Sequence, residues 1–421
     1  MPTTVRINDG RWRPIWLLAA PHRLAFFMAA LMLAISSVWW AGILVMRALN
    51  MTPIWAVPIS AAHGLLMTLG FMPFFFAGFL FTAGPKWLGL PEVSARSLLP
   101  SLSLMLVGWL GVLAGFHNSV MLTSAGVSLV AAGWTGLSLK FFKLFRQSSA
   151  ADRVHAGLAA VACGVGIITL WTASVSLTLN SELMLRAATQ VGLWGFVATM
   201  FAVVSHRMVP IFSASTVAFL DAWRPMWLLW VILSMLWLQA ALSAAELLSW
   251  PLSSAVRWAQ VAFELPSSLL LLWLAVRWAR LQSLKMRLIA MLHGGFSLLG
   301  ISFALHAVSH ALMAFTQGER SLGLAPLHAM TMGYLGATMF AMTTRLSSGH
   351  GGRTVAADNI AWALYWVLQT AVLLRVIAAL WPAQSALFTL LAIAAWSAAT
   401  VGWAVRYGRW FGRPRLDGRP G

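Results

Sequence analysis

Carboxylates are scarce in this chain of 421 residues: Asp and Glu together number 10, against 28 Lys and Arg. Asp9, Glu92, Asp152, Glu182, Asp221, Glu246, Glu319, Asp358 and Asp417 fall at the ends of apolar runs or in the loops between them, leaving Glu264 in "VAFELPSS" as the one carboxylate in mid-run. Carriers coupled to protons or sodium ordinarily use intramembrane carboxylates, so the shortage argues against that class, although Glu264 precedes Pro266 at a candidate helix break. Cysteine is nearly absent too. The single Cys163 lies within an apolar run, which excludes a disulfide framework and a thiolate zinc site. Charge of either sign is only 9% of the residues while 60% are hydrophobic, and the mean hydropathy of +0.81 lies far above that of a soluble domain.

What is present is apolar sequence in long runs. These last about 20 residues rather than the 10-residue alternations of a barrel, and lipid offers no partner to an unpaired backbone amide, so the expected fold is all-α: a polytopic membrane bundle. Breaks at charge, Pro and Gly predict about twelve transmembrane helices, near 24–46, 55–83, 98–117, 119–141, 154–179, 186–210, 225–244, 255–276, 287–315, 322–344, 360–380 and 386–405. The first run is too long for a signal-peptide core and has no evident cleavage site, so it is kept as a helix.

The formal charge of +18 would suggest nucleic acid in a soluble chain, but here the charges cluster at the ends of apolar runs. With both termini cytoplasmic, 23 of the 28 basic residues fall inside, including Arg6, Arg224 and Arg419, and only Arg47, Arg186, Arg257, Arg320 and Arg375 lie on or near the other side. Arg375 falls within the eleventh run, where it marks a functional position or snorkels to the outer interface. The organisation is then a basic cytoplasmic segment (1–23), one transmembrane domain (24–405) and a basic tail (406–421) read as a disordered anchor on anionic lipid. Membrane lipid is the expected surrounding, and no nucleic acid is.

"FALHAVSHALMAF" at residues 303–315 sets His306 and His310 on one helical face. Counted from the inner ends of their runs, His63, His117, His306 and His328 lie roughly 25–32 Å up, near the outer interface, with His310 higher. Imidazoles from several helices at one level can hold a metal, and haem iron and copper both suit a site rich in imidazole. The structural alternative is a histidine that satisfies itself on a neighbour's carbonyl, to which His117 in "GFHNS" is equally suited. His22 and His155, each near an Arg at the end of a run, read as interfacial. His293 lies about 9 Å above the inner boundary beside "GG", where a planar group could approach the backbone. Met67, one turn after His63, is a soft ligand candidate beside the ordinary packing role of Met. Trp39, Trp40, Trp55, Trp87 and Trp250 flank runs as interface anchors.

Three stretches resemble the NnrS family of bacterial membrane proteins. They are "AAHGLLMTLGFMPFFFAGFLFTAGPKWLG" in the second run, "SHRMVPIF" in the sixth, and "LHAMTMGYLGATMFAMTTRLSSGHGGR" in the tenth, the most specific of the three. The glycines of "GYLGA" allow close helix contact or a flat cofactor face, and Arg345, His350 and Arg353 make a cationic loop suited to propionates or phosphate. The resemblance implies a multi-pass protein of the bacterial inner membrane that contains haem b and copper and takes part in the nitric oxide response, during denitrification or nitrosative stress. It marks His63, His206, Arg207, Pro210, His328, Arg345, His350 and Arg353. Many members carry His-x-His-Glu-Met in the second helix, where this chain has "HGLLM" with Leu65 and Leu66, so a role for the second His and the Glu does not transfer. No run carries His-Pro-Glu-x-Tyr and no two histidines are adjacent, which argues against a terminal oxidase or a nitric oxide reductase.

Two function classes follow. The first is a metal protein acting on or responding to nitric oxide or a related small molecule, with His63 and either His306 or His328 as haem ligands and His310 with its neighbours for copper. No catalytic motif is evident. The second is a twelve-helix transporter of a metal, haem or small metal complex, and an assembly factor or sensor is a third expectation.

Overall fold

Helices are the only regular elements among the described residues, which in this computed structural model are 11–213, 225–281 and 284–417. Arg6, Asp9, Asp221, Arg224 and Arg419 lie outside them, as does the side chain of Pro210. The elements in chain order are α1 (Pro21–Ala48), α2 (Ile59–Leu69), α3 (Met72–Trp87), α4 (Leu99–Asn118), α5 (Val120–Gln147), α6 (Val154–Thr178), α7 (Glu182–Val191), α8 (Thr199–Ser213), α9 (Met226–Leu248), α10 (Ser254–Leu281), α11 (Arg287–Phe315), α12 (Ala325–His328), α13 (Gly336–His350), α14 (Asn359–Leu380) and α15 (Ser385–Phe411). Polar residues start several of them. Ser119, Ser181 and Asp358 accept from the backbone amides of Leu122, Met184 and Ala361, satisfying donors that a helix start would otherwise leave open.

Two rods are interrupted by π-helical turns, Gly192–Ala198 between α7 and α8 and Ala329–Leu335 between α12 and α13. Single π turns inside α-helices are frequent at functional sites.

Eleven of the described helices are long and apolar enough to cross a membrane. The expected run at 322–344 is the twelfth rod, helical from Ala325 to His350 but less apolar. Parity supports its crossing. Arg13 N donates to Gly412 O at 2.8 Å and Trp12 Nε1 to Gly408 O at 3.3 Å, so the two ends of the described chain share one face, as an even number of crossings requires. Its weak hydropathy has a physical reason: most of α13 is buried against protein rather than lipid, so its threonines and serines cost little. We call the face with both ends the terminal face and the other the distal face.

Sequence neighbours pack as antiparallel hairpins, α4 with α5, α10 with α11 and α14 with α15, and α1 closes the bundle against α15. Ile59–Trp87 and Glu182–Met208 lie innermost, with 89% and 78% of their most apolar stretches buried, against 28% for Asn359–Leu380. The α4/α5 contact depends on missing side chains. A Cβ on Gly108 would lie 2.6 Å from Gly126 O, and one on Gly126 would lie 2.7 Å from Gly108 O. Backbone-to-backbone approach of this kind is how membrane helices gain dispersion contact without a hydrophobic driving force.

The tail differs from the disordered anchor expected. Leu416 N donates to Gly351 O at 3.1 Å, and Gly352, at φ +68°, would bring a Cβ within 2.6 Å of Asp417 Oδ1. Gly352 therefore makes room for the tail up to Asp417 to dock, and Gly351 supplies the carbonyl that holds it.

Gly126→Val should force α4 and α5 apart and lower stability by about 1–3 kcal/mol, the usual cost of overpacking. Thermal unfolding in detergent measures it. Gly42→Ala, where nothing lies within 4 Å of a Cβ, should not lower the midpoint.

Candidate functional site

Ten histidines sort into pairs and clusters by the helices that carry them. On the distal side, α11 presents His306 and His310 one turn apart, their ring centroids separated by 6.0 Å. From α10, Glu264 sits on His310, with Nδ1 2.7 Å from its Oε2, and from the end of α9, Glu246 reaches the other nitrogen at 3.5 Å. Glu246 in turn accepts from Arg257 at 2.7 Å, and Arg257 also donates to Gln260 at 3.2 Å. Glu264 is wholly buried and His310 nearly so. With both ring nitrogens facing carboxylate oxygens, His310 donates on two sides when protonated, and the two glutamates then balance it together with Arg257.

The ligand atoms of Glu264, His306 and His310 all lie within 4.8 Å of one another, a spacing that could hold a metal ion. His306 Nε2 and Glu264 Oε1 are buried with no partner at full hydrogen-bond geometry, although the Gln239 side chain is near enough to interact with the Glu264 carboxyl. Unpartnered buried donors or acceptors are costly, and a bound cation coordinated by both atoms would remove the cost. Ligation by His310 would instead displace a carboxylate from one of its nitrogens. Trp194, inside the first π turn, closes the site with its ring 6.0 Å from His306.

A second distal group forms where α2, α12 and α14 meet. His63 stacks on Trp40 with centroids 3.9 Å apart and leaves Nδ1 buried and unpartnered. It interacts electrostatically with His328 and Arg375. His328, at the edge of the second π turn, has Nδ1 2.8 Å from Leu324 O, which sets that nitrogen as the donor and leaves Nε2 as the ligand atom. The residues present therefore suit an imidazole-coordinated group on both sides of the distal bundle. Among the described residues, no hydrogen bond, ring contact or electrostatic interaction joins His63 or His328 to His306 or His310. The expected single level thus divides into two groups.

His117 stands apart from both. Its Nε2 accepts from Trp39 Nε1 and its Nδ1 lies on Ile54 O, each at 3.0 Å, so the ring is fully used in holding the distal loop. Met67 packs against the apolar core.

Toward the terminal face, His206 and His155 share a 3.0 Å contact between Nδ1 and Nε2. Arg207 pairs with Asp152 at 3.0 Å and lies over the ring of Trp87. Partial desolvation opposes the charge on Asp152, yet the Arg207 guanidinium holds its carboxyl below the ordinary range. His350 faces His22 with centroids 4.3 Å apart. Arg353 stacks on Trp410 at 4.0 Å, and Arg345, partly buried, lies on α13 ahead of His350. His293 is partly buried, but the glycines after it do not open a planar slot. A Cβ on Gly294 would meet the Tyr365 hydroxyl and one on Gly295 would lie 2.7 Å from Thr338 Oγ1, so this pair serves helix packing. The same holds in "GYLGA", where a Cβ on Gly333 would reach Leu298 at 3.0 Å.

Sequence reasoning missed Glu246, His22 and Trp40 as partners. Their positions near helix ends looked interfacial, and only the tertiary fold brings them to an imidazole. Each tryptophan expected as an interface anchor meets a polar partner here: Trp39 and Trp55 meet His117, Trp40 meets His63, Trp87 meets Arg207, and Trp250 meets Arg257.

Compared with known families, residues 16–415 match the model described as NnrS protein. A comparison with curated proteins finds no match.

Glu264→Ala removes one of two carboxylates from a buried imidazole and should cost on the order of 3 kcal/mol. His117→Ala, which loses two hydrogen bonds near the surface, should cost about 1–2 kcal/mol. Unfolding by SDS titration in mixed micelles compares them; equal midpoints for wild type and Glu264→Ala would show that the buried pair is not formed.

Proposed function

Because the chain belongs to the NnrS family, we propose that it is a haem- and copper-binding protein of the bacterial inner membrane, acting in the nitric oxide and nitrosative stress response. In this reading the terminal face is cytoplasmic, the distal face is periplasmic, and the metals sit near the latter. The family match supports a role in the nitric oxide response. The observation that carries the metal reading is the Glu264, His306 and His310 cluster, with two buried ligand atoms left without partners.

His63 and His328 are the residues we assign to haem iron, since they interact across different helices and each keeps one ring nitrogen for ligation. Trp40 fixes the plane of His63, and the Leu324 carbonyl fixes the tautomer of His328. His306 and Glu264 are assigned to copper, with His310 as the group that orients Glu264. Haem iron or copper, when bound, would supply one-electron chemistry, and a diatomic ligand would bind at copper or at iron from which one of the two imidazoles is released. The protein's share is to hold the ligand atoms in a dry site, and an uncharged gas reaches that site through the apolar bundle without a polar channel.

One observation favours the carrier as a second reading. Glu264 and Glu246 flank His310 within the membrane-spanning rods, so the intramembrane carboxylates that a coupled carrier uses are present after all.

Purified protein should show a Soret band that shifts on adding nitric oxide, and copper by elemental analysis. His63→Ala and His328→Ala should abolish the Soret band. His306→Ala should keep the band and lose copper, and His117→Ala should keep both. Wild type with neither band nor copper ends the metal reading. Metal uptake into vesicles that is lost in Glu264→Gln, with an unaltered spectrum, moves the assignment to a carrier.

A further inference from the structure

A cavity of about 210 Å³ opens toward the terminal face between α1, α3 and α13. His22, His350, Thr82 and Lys86 supply its polar lining, and Phe26 and Trp87 are among its apolar walls. It is separate from both distal groups.

Three features define what it can take. First, size: the volume is below the roughly 300 Å³ of the smaller pockets that hold drug-sized ligands, which excludes a porphyrin and admits a small solute. Second, the lining offers donors. His22 Nδ1 lies 3.4 Å from Thr82 Oγ1, and this is the only hydrogen bond made by either imidazole among the described residues. The rings of His22 and His350 lie 4.3 Å apart and tilted by 36°; either Thr82 donates to His22 Nδ1 and leaves the N–H on His22 Nε2 for a guest, or the ring donates to Thr82 and leaves the hydroxyl for it, with His350 and the Lys86 ammonium as further donors.

Third, the surrounding charge is mostly positive. Arg23, Lys86 and Arg415 act on both rings, and Glu92 is the one carboxylate that acts on His350. Arg415 is itself paired with Asp417. Arg23 is buried, with its guanidinium donating to the carbonyls of Phe411 and Arg413 at 3.5 and 2.7 Å, so its charge is fixed in place. A further cation, Arg207, lies over the Trp87 ring that walls the cavity, 5.0 Å from its centroid. Among the described residues no acidic side chain lines the space. A metal cation would enter against this field, whereas an anion is drawn in and finds N–H and O–H donors at the end of its path.

We propose that this cavity is a binding site for a small inorganic oxyanion, held by Lys86, Thr82 and the His22–His350 pair and open to the face that carries the termini. Arg23 strengthens the local potential from behind its walls, while Arg207 shares its charge with Asp152, and the aromatic sides strip water from the guest so that each donor counts for more. The assignment does not depend on metal binding at the distal groups.

The test uses full-length protein in phosphatidylcholine nanodiscs, titrated calorimetrically with nitrite and, separately, with inorganic phosphate. Wild type should bind at least one of them. Lys86→Gln, at an exposed position where folding is not at risk, should weaken binding about tenfold, as loss of one charge-assisted hydrogen bond does. His350→Leu should weaken it as much, while Arg320→Gln on the distal face should leave it unchanged. The same titration in phosphatidylglycerol nanodiscs separates two sources of the same chemistry. Retained affinity marks a site for free anion, and competition by the lipid assigns the site to a headgroup phosphate. No binding of either anion by wild type overturns the proposal, as do unaltered affinities in both cavity variants.

Discussion

A polar side chain carried into the membrane on a helix has to find its partner inside the protein, because lipid supplies none. That constraint accounts for most of what is specific about this bundle. It sets His117 between Trp39 and the Ile54 carbonyl, His155 against His206, and His310 between two glutamates. Against that background the exceptions acquire meaning. His63 Nδ1, His306 Nε2 and Glu264 Oε1 are buried and unpartnered, and all three belong to the two distal groups. Other buried polar atoms lack a hydrogen-bond partner as well, among them Trp109 Nε1, Trp194 Nε1 and Gln239 Oε1, but the two imidazole nitrogens and the carboxylate oxygen are of the kind that ligates a metal.

The same constraint shapes the rods. Where helices touch through glycine, as at Gly108 and Gly126, the backbones themselves are the contact surface and the pair is held rigidly. Where the ladder loosens into a π turn, as before α8 and before α13, the adjacent side chains are redirected into the interior, Trp194 toward His306 and His328 into the region of His63. Rigid hairpins at the edge and irregular turns in the centre give a scaffold in which the polar groups are placed by the inner rods. This explains why the least apolar rod, Ala325–His350, is also one that carries a ligand candidate.

Much of the architecture was legible from periodicity and charge, because the hydrocarbon thickness sets the length of each run and loop arginines mark its ends. The run at 322–344 was found as readily as the others, even though it is less apolar than the rest. Helical rise gave the height of His63, His306 and His328, but height alone carries no azimuth, so it could not divide them into two groups. Glu246 was hidden for a related reason: near the end of α9 it looks solvated, and only the packing of α9 and α10 against α11 turns it inward to His310. Glycine pairs were ambiguous as well. "GG" after His293 allows either a cofactor face or a close neighbour, and the Tyr365 hydroxyl decides for the neighbour.

The two faces differ in how they treat charge, and this separates their chemistry. At the distal cluster Arg257, His310, Glu246 and Glu264 carry two positive and two negative charges when His310 is protonated, so a monovalent cation can enter by releasing that proton and leave the balance intact, while a divalent one adds a single positive charge. At the terminal cavity Arg23, Lys86 and Arg415 outweigh Glu92 and Asp417, and an anion improves the balance on entry. Positive charge gathered at the terminal face is therefore also a source of binding potential there. A protein built this way can hold cations and anions at opposite ends of one bundle, since the distal cluster and the terminal cavity share no residue.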